Sequence, residues 1–487
     1  MATQILSVNI LRFFHSGSFI FLCLLCSLKA VYAYEEIETT KSYQLHRSHV
    51  LQLSSLLPSS VCNPSPKGTH NKGTSLKVVH KRGPCSQLTQ HNTNAPNLTH
   101  ILLLDQARVN SLQSRLSNSV QYISKATTVP AKSGISVGTG DYIVTVGLGT
   151  PAKQVSLIFD TGSDFTWTQC QPCAAYCQKQ KEPIFDPSKS KSYTNITCSS
   201  ALCSQLRSAT STSPGCSSST CVYGISYGDG TYSTGFFGKE KLSLTSTDVF
   251  NGFLFGCGQN NRGNFAQSAG LFGLGRDPLS FVSQTAQKYG KYFSYCLPSS
   301  SSLTGFLSFG KGGTAGDSKS VKFTPLLTNS KGASFYFINM VGISVGGQKL
   351  SIPTSVFSKA RNIIDSGTVI TRLPPTAYDS LKSNFRRMMS DYPMTDGISI
   401  FDTCYDFSDY DTVSVPKISF YFGGGVEFEV DLSGILYPVS TSKWCLAVAA
   451  NDDDTDMAVF GNFQQLTYDV IYDVAGGRLG FGPGGCD

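Results

Sequence analysis

The chain has 487 residues, 46 of them Gly, with 40% hydrophobic residues and a formal charge of +7. That length suits two domains plus accessory segments, in a globular, turn-rich body. Residues 1–129 hold 12 Lys+Arg against 4 Asp+Glu, and the remainder 27 (39 less 12) against 28 (32 less 4), so the body balances at −1 and offers no general phosphate-binding surface.

Histidine narrows the chemistry. All seven lie at or before residue 100: His15, His46, His49, His70, His80, His91 and His100. A body without this quarter cannot run Ser-His-Asp or Cys-His catalysis or hold a His-ligated metal. Acid–base work then falls to carboxylates, Lys or Tyr.

In chain order, Ser18–Leu28 is a short apolar run after Arg12, followed by Ala30 and Ala33. It reads as a secretory signal over residues 1–33, too short for a membrane anchor. The expected location is therefore extracellular, with plastid and vacuole as alternatives. Residues 34–131 are polar and basic and read as a prosegment. Within it, Ser75–Arg82 alternates like a strand, and Leu104, Val109, Leu112 and Leu116 have helical spacing. Its Lys and Arg side chains would sit over an acidic cleft as an inhibitor, and low pH would neutralise the carboxylates and release it. Residues 138–318 and 319–487 form the two halves of the body. Short alternating strands recur through both, and Pro375–Met389 is the best helix candidate, so the body is expected to be all-β with minor helices.

Of 16 Cys, Cys23 and Cys26 fall in the signal and Cys62 and Cys85 in the prosegment. Twelve remain: Cys170, Cys173, Cys177, Cys198, Cys203, Cys216, Cys221, Cys257, Cys296, Cys404, Cys445 and Cys486. An even number in an exported chain suggests six disulfides rather than zinc ligands. The first seven crowd together, so at least one pairs outside that cluster; Cys404 and Cys445 are plausible partners. Asn195 and Asn97 sit in glycosylation tripeptides. The run Asn451–Asp454 lacks calcium-loop spacing and reads as a solvated hairpin tip. No metal or cofactor site is expected.

The body turns on two echoing stretches, Phe159-Asp160-Thr161-Gly162-Ser163 and Ile364-Asp365-Ser366-Gly367-Thr368. An apolar strand anchors each Asp, the Gly permits a sharp turn, and the hydroxyls can lock the loops together. Two carboxyls in contact share a proton, so one can deprotonate a water while the other donates to a carbonyl.

These stretches, with Gly270–Gly275, Ala458–Asn462, Tyr227 in Ile225–Gly230, and Trp167, resemble the pepsin-type aspartic proteases over residues 140–485. The Asp-Thr-Gly-Ser-Asp motif, the Cys-rich insert and the Gly461–Gln465 ending are similar to plant nepenthesin-like enzymes. Val78–Cys85 resembles the subgroup of chloroplast-nucleoid DNA-binding proteases. The resemblance implies a monomeric, bilobal, pseudo-two-fold aspartic endopeptidase of peptide or protein substrates, made as a zymogen and active at acid pH. It assigns catalysis to Asp160 and Asp365, support to Thr161, Gly162, Ser163, Ser366, Gly367 and Thr368, the flap to Tyr227, Gly228 and Asp229, and flap support to Trp167. Asn462 stands where such enzymes often carry Asp. The rival readings are a binding protein on the same fold, as in plant xylanase inhibitors, and a DNA-binding plastid protease, which would need a retained leader or a local basic patch.

Overall fold

A computed structural model describes residues 47–57, 59–64, 74–88, 98–117, 142–227, 230–263, 265, 267–311 and 320–486. The signal, Asn97, Gly228 and Asp229 lie outside the described residues. Strands dominate, as the alternating, Gly-punctuated sequence requires.

The N-terminal segment supplies β1 (Ser48–Gln52), β2 (Thr74–His80) and the 20-residue α1 (Leu98–Ser117). The first half of the body supplies β3 (Tyr142–Leu148), β4 (Lys153–Asp160), β5 (Trp167–Gln169), β6 (Thr220–Ser226), β7 (Tyr232–Ser243), β8 (Gly270–Gly273), β9 (Tyr292–Cys296) and β10 (Thr304–Phe309). The second half supplies β11 (Ile363–Ile364), β12 (Thr371–Leu373), α2 (Pro375–Met388), β13 (Thr412–Pro416), β14 (Val448–Ala450), β15 (Val459–Phe460) and β16 (Asp469–Asp473).

The two halves repeat one topology. β8 threads between β4, to which it is parallel, and β5, to which it is antiparallel. β15 likewise threads between β11, parallel, and β12, antiparallel. The register matches in detail: Trp167 lies opposite Leu271, and Arg372 lies opposite Val459. From Val155 onward β4 is buried on both faces, which explains its continuous apolar run before Asp160. A long sheet joins the halves, because β16 pairs with β9 and β9 with β10.

The N-terminal segment is built into this body. β2 lies between β10 and β3 in the long sheet, with Leu76 and Val78 turned into the core. β1 pairs antiparallel with β13 in the second half. α1 buries Leu104, Val109, Leu112 and Leu116, the face its spacing indicated, and adds Leu102. Val109, Leu112 and Leu116 pack on Phe335, Phe337 and Val459, while Leu102 fills a pocket with Val369, Ile370 and Phe401. Each such burial contributes about 1.5–3 kcal/mol to docking.

The disulfides close both halves. Cys170–Cys257 is the pair that leaves the crowded stretch; Cys173–Cys177, Cys198–Cys216 and Cys203–Cys221 stay inside it. Cys296–Cys486 and Cys404–Cys445 complete six in the body, and Cys62–Cys85 ties the N-terminal segment to itself, a pairing the count of body cysteines left open. One expectation fails. Asn451–Asp454 is not a hairpin tip, because β14 and β15 flank β12 on opposite sides. The run is a crossover in which Asp454 accepts from the Thr376 amide (2.9 Å) in the first turn of α2, and Asn451 is buried.

Candidate active site

Asp160 ends β4 and Asp365 follows β11, so equivalent strands deliver the two carboxyls to one point between the halves. Both side chains are buried. The loops grip each other: the Thr161 amide donates to Ser366 Oγ (3.1 Å) and the Ser366 amide to Thr161 Oγ1 (2.9 Å). Each carboxylate then accepts from its own loop. Asp160 takes the Gly162 amide (2.9 Å) and the Ser163 hydroxyl (2.5 Å). Asp365 takes the Gly367 amide (3.1 Å) and the Thr368 hydroxyl (2.6 Å).

The glycines serve a different purpose from the expected sharp turn. Neither Gly162 nor Gly367 has a positive φ. A Cβ on Gly162 would meet Asp365 Oδ1 at 2.6 Å, and one on Gly367 would meet Asp160 Oδ1 at 2.5 Å. A missing side chain therefore lets each loop approach the opposite carboxylate.

Between the carboxylates lies Arg108 of α1. Its Nη1 and Nη2 donate to Asp160 Oδ2 (3.0 Å) and Oδ1 (2.7 Å), a two-pronged contact. Its Nη2 and Nε donate to Asp365 Oδ2 (2.8 and 3.0 Å), and Nε also reaches Thr368 Oγ1 (3.2 Å). The planar fork of a guanidinium suits this bridging role, which an ammonium could not fill. Burial pushes the Asp160 carboxyl up, but the Arg108 charge and the bonds from Arg108, Ser163 and Gly162 outweigh it and hold Asp160 below the usual range. Burial raises Asp365, and the Asp160 charge adds to that rise against Arg108. The pair is thus split into one firmly ionised carboxylate and one that takes a proton more readily.

Further along α1, Arg115 Nη1 donates to the Gly162 carbonyl (3.0 Å), and its guanidinium lies 3.8 Å from Asp164. Asp164 accepts from the Asp277 amide (2.9 Å) and the Ser334 hydroxyl, which binds the two halves together beside the dyad. Burial pushes its carboxyl up to about 6, against the pull of Arg115 and these donors. The folded form therefore holds a proton that the unfolded chain releases near pH 4, and stability falls as pH rises from about 4 through 6. Asp164→Asn should remove a change on the order of 3 kcal/mol across that window, read as the slope of unfolding free energy against pH in denaturant titrations.

Trp167 Nε1 donates to the Tyr227 hydroxyl (2.9 Å), which ties the hairpin residue to the first half's core. Tyr227, Ser226, Phe265, Asp160, Arg108 and Arg115 line an open cavity beside α1. Asn462 Nδ2 donates to the Ser366 carbonyl (2.8 Å), a bond an ionised Asp could not make, and it adds no charge near the dyad. Asn195 lies exposed on a short strand and accepts from the Tyr193 hydroxyl (2.6 Å). The sequence placed a basic segment over the cleft but did not single out Arg108, because four basic residues, Arg108, Arg115, Lys125 and Lys132, follow residue 105 before the body and no spacing rule selects one.

Two family models match, described as xylanase inhibitor N-terminal over residues 142–311 and xylanase inhibitor C-terminal over residues 335–483. An aspartyl protease family protein of Arabidopsis thaliana is 57% identical over 445 residues, 90% of this chain and 93% of its own. This chain belongs to the plant pepsin-like aspartic proteases of the nepenthesin type. Aspartyl protease AED1 of the same plant is 50% identical, covering 93% of this chain and 95% of its own. Nepenthesin-1 of Nepenthes gracilis is 36% identical over 82% and 90%. Among solved structures, basic 7S globulin from soybean superposes with a TM-score of 0.57 at 20% identity, covering 71% of this chain and 93% of its own, a likeness of fold alone. The aspartic protease of this chain is a pepsin-like endopeptidase with peptide or protein substrates.

Proposed function

We propose that the chain is the inactive precursor of a secreted aspartic endopeptidase, locked by its own N-terminal segment and active at acid pH once residues 34–131 are removed. The observation that carries this reading is the Arg108 guanidinium bridging Asp160 and Asp365, where it occupies the place a substrate carbonyl and a water would need. Among the described residues no helix is long and apolar enough to cross a membrane. The disulfide-rich body and the apolar leader favour an oxidising, extracellular setting.

With Arg108 gone, the two carboxyls share one proton. The ionised member removes a proton from a water lying between them, and the protonated member donates to the oxygen of the scissile carbonyl. Water oxygen bonds to the carbonyl carbon and gives a neutral tetrahedral diol. As the C–N bond breaks, the protonated carboxyl gives its proton to the leaving nitrogen and the ionised one takes a proton from a diol hydroxyl, so the dyad returns to its shared-proton state. The Tyr227 hairpin, held by Trp167, would close over an extended peptide. Acid pH favours this cycle because one carboxyl must stay protonated.

A second reading, a binding protein on the protease fold, draws on the description of the matching family models. Against it stand both aspartates with their full sets of loop donors. The two separate in one assay. The processed protein should cleave a diverse peptide library between about pH 3 and 5, near the carboxyl range, and a statine-type inhibitor should block it. No cleavage at any pH would leave the binding reading.

A further inference from the structure

One turn before Arg108, α1 makes a second contact with the body that the dyad chemistry does not use. Asp105 accepts from the Val369 amide (2.7 Å) and the Ile370 amide (3.2 Å), and its Oδ2 lies 3.0 Å from Arg372 Nη2. Both Asp105 and Arg372 are fully buried. Arg372 Nε donates to Gln106 of the same helix (3.1 Å), and its Nη1 donates to the Ile370 carbonyl (2.8 Å). Every charged partner of this guanidinium within the described residues thus comes from the segment that maturation removes.

The position of Arg372 in the repeat says what it faces afterwards. It lies seven residues beyond Asp365, as Trp167 lies seven beyond Asp160. The registers agree, Trp167 opposite Leu271 and Arg372 opposite Val459. Trp167 holds the Tyr227 hydroxyl at the wall of the cleft. Arg372 therefore occupies the matching wall in the second half. Its strand neighbours Thr371 and Leu373 turn the other way, into the lobe, where Thr371 bonds Gln464 and Leu373 joins the core.

We propose that Arg372, with the Val369 and Ile370 amides, is a subsite for an acidic side chain of the substrate, filled by Asp105 in the precursor and by Asp or Glu of the peptide in the mature enzyme. The inference rests on the protease reading. Two amides and a guanidinium form a donor set for one carboxylate, and Leu102 beside them fills an apolar pocket that the same departure opens. Asp105 precedes Arg108 by three residues, about 4.5 Å along a helix. An extended peptide covers that distance in one or two residues, at about 3.3 Å each. The acidic residue therefore falls within two positions of the cut bond.

The test uses protein matured from the full-length precursor and peptide pairs that differ only by Asp against Asn at each of the two positions on either side of the cut bond. Assayed near pH 5, above the ordinary Asp pKa of about 3.9, one position should favour Asp by about tenfold or more in kcat/KM. In Arg372→Gln that ratio should fall to near one. Because this variant leaves Asp105 buried without its partner in the precursor, the double variant Asp105→Asn with Arg372→Gln is made as well, and the same collapse is expected. Cleavage with no acidic preference at any of these positions overturns the subsite and leaves the protease reading standing. A preference that survives in the double variant also overturns it. Absence of any cleavage overturns the protease reading and the subsite with it.

Discussion

An Arg108→Gln precursor will cleave peptide before it loses its N-terminal segment, whereas the parent precursor will be silent under the same conditions at pH 5. Arg108 makes four hydrogen bonds to the two carboxylates and lies at the centre of the docked helix. Removing one partner of a buried ion pair costs about 3–5 kcal/mol. Here the cost falls toward the low end, because the freed dyad can relieve itself by sharing a proton. A loss of about 3 kcal/mol raises the open fraction roughly a hundredfold. Leu102, Val109, Leu112 and Leu116 still hold α1 nearby, so the variant opens and closes rather than shedding the segment. The signal is cleavage of a fluorogenic peptide while mass spectrometry shows the chain intact. Arg108→Lys should fall between the two, since it keeps the charge and loses the fork.

The pH response of the lock follows from the same groups. Asp160 has a folded pKa held below 3.8, so its contribution is present above that value and is lost only as pH falls through the lower, folded one. Asp365 is raised and takes its proton first, which still leaves one ionised carboxylate for Arg108. Asp105 is also raised, by burial against the pull of Arg372, so acidification favours its docked form. Arg108 lowers the proton affinity of both carboxyls, so the freed dyad takes its shared proton more readily than the docked one, and at the dyad acid works toward opening while at Asp105 it works toward docking. The parent precursor should stay silent at pH 5, where one ionised carboxylate still faces Arg108 and the apolar face of α1 stays buried, unless the chain is cut first. Activity of the intact parent at pH 5 equal to that of the variant would remove Arg108 from this role.

What the sequence revealed and what it hid divide along physical lines. The two Asp loops and the threading Gly segments are local motifs that occur once in each half, Trp167 and Tyr227 lie in short stretches of the first half, and the fold brings each to its partner. The strand and helix of the N-terminal segment were visible because alternation and helical spacing are short-range signals. Hidden were features that depend on distant approach. Arg108 reaches Asp365 across 257 residues, and Asp105 reaches Val369 across 264. Arg372 looks like an unremarkable strand residue until its register against Val459 places it opposite Trp167 in the repeat. The role of Gly162 and Gly367 is hidden for the same reason, since the atoms each Cβ would strike belong to the opposite carboxylate and to Arg108.

Asp365→Asn in the matured enzyme should lower kcat by about 10³-fold or more, the scale of losing a positioned acid–base group. The shape of the loop survives, because the Asn oxygen can still accept from the Gly367 amide, which lies 3.1 Å from Asp365 Oδ1. The other oxygen becomes an amide nitrogen, which can no longer accept from the Thr368 hydroxyl or share a proton with Asp160. KM should move far less than kcat, since most of an extended peptide lies away from the dyad. The symmetry of the site makes a sharper demand. Asp160→Asn has the same loop donors and the same opposite carboxyl, so its loss should match within about tenfold. The double variant should be no worse than either single one, because each alone already prevents the pair from holding one proton between them. Appreciable activity in Asp365→Asn, with Asp160→Asn dead, would mean that a single carboxylate carries the chemistry and that the second half supplies only the frame.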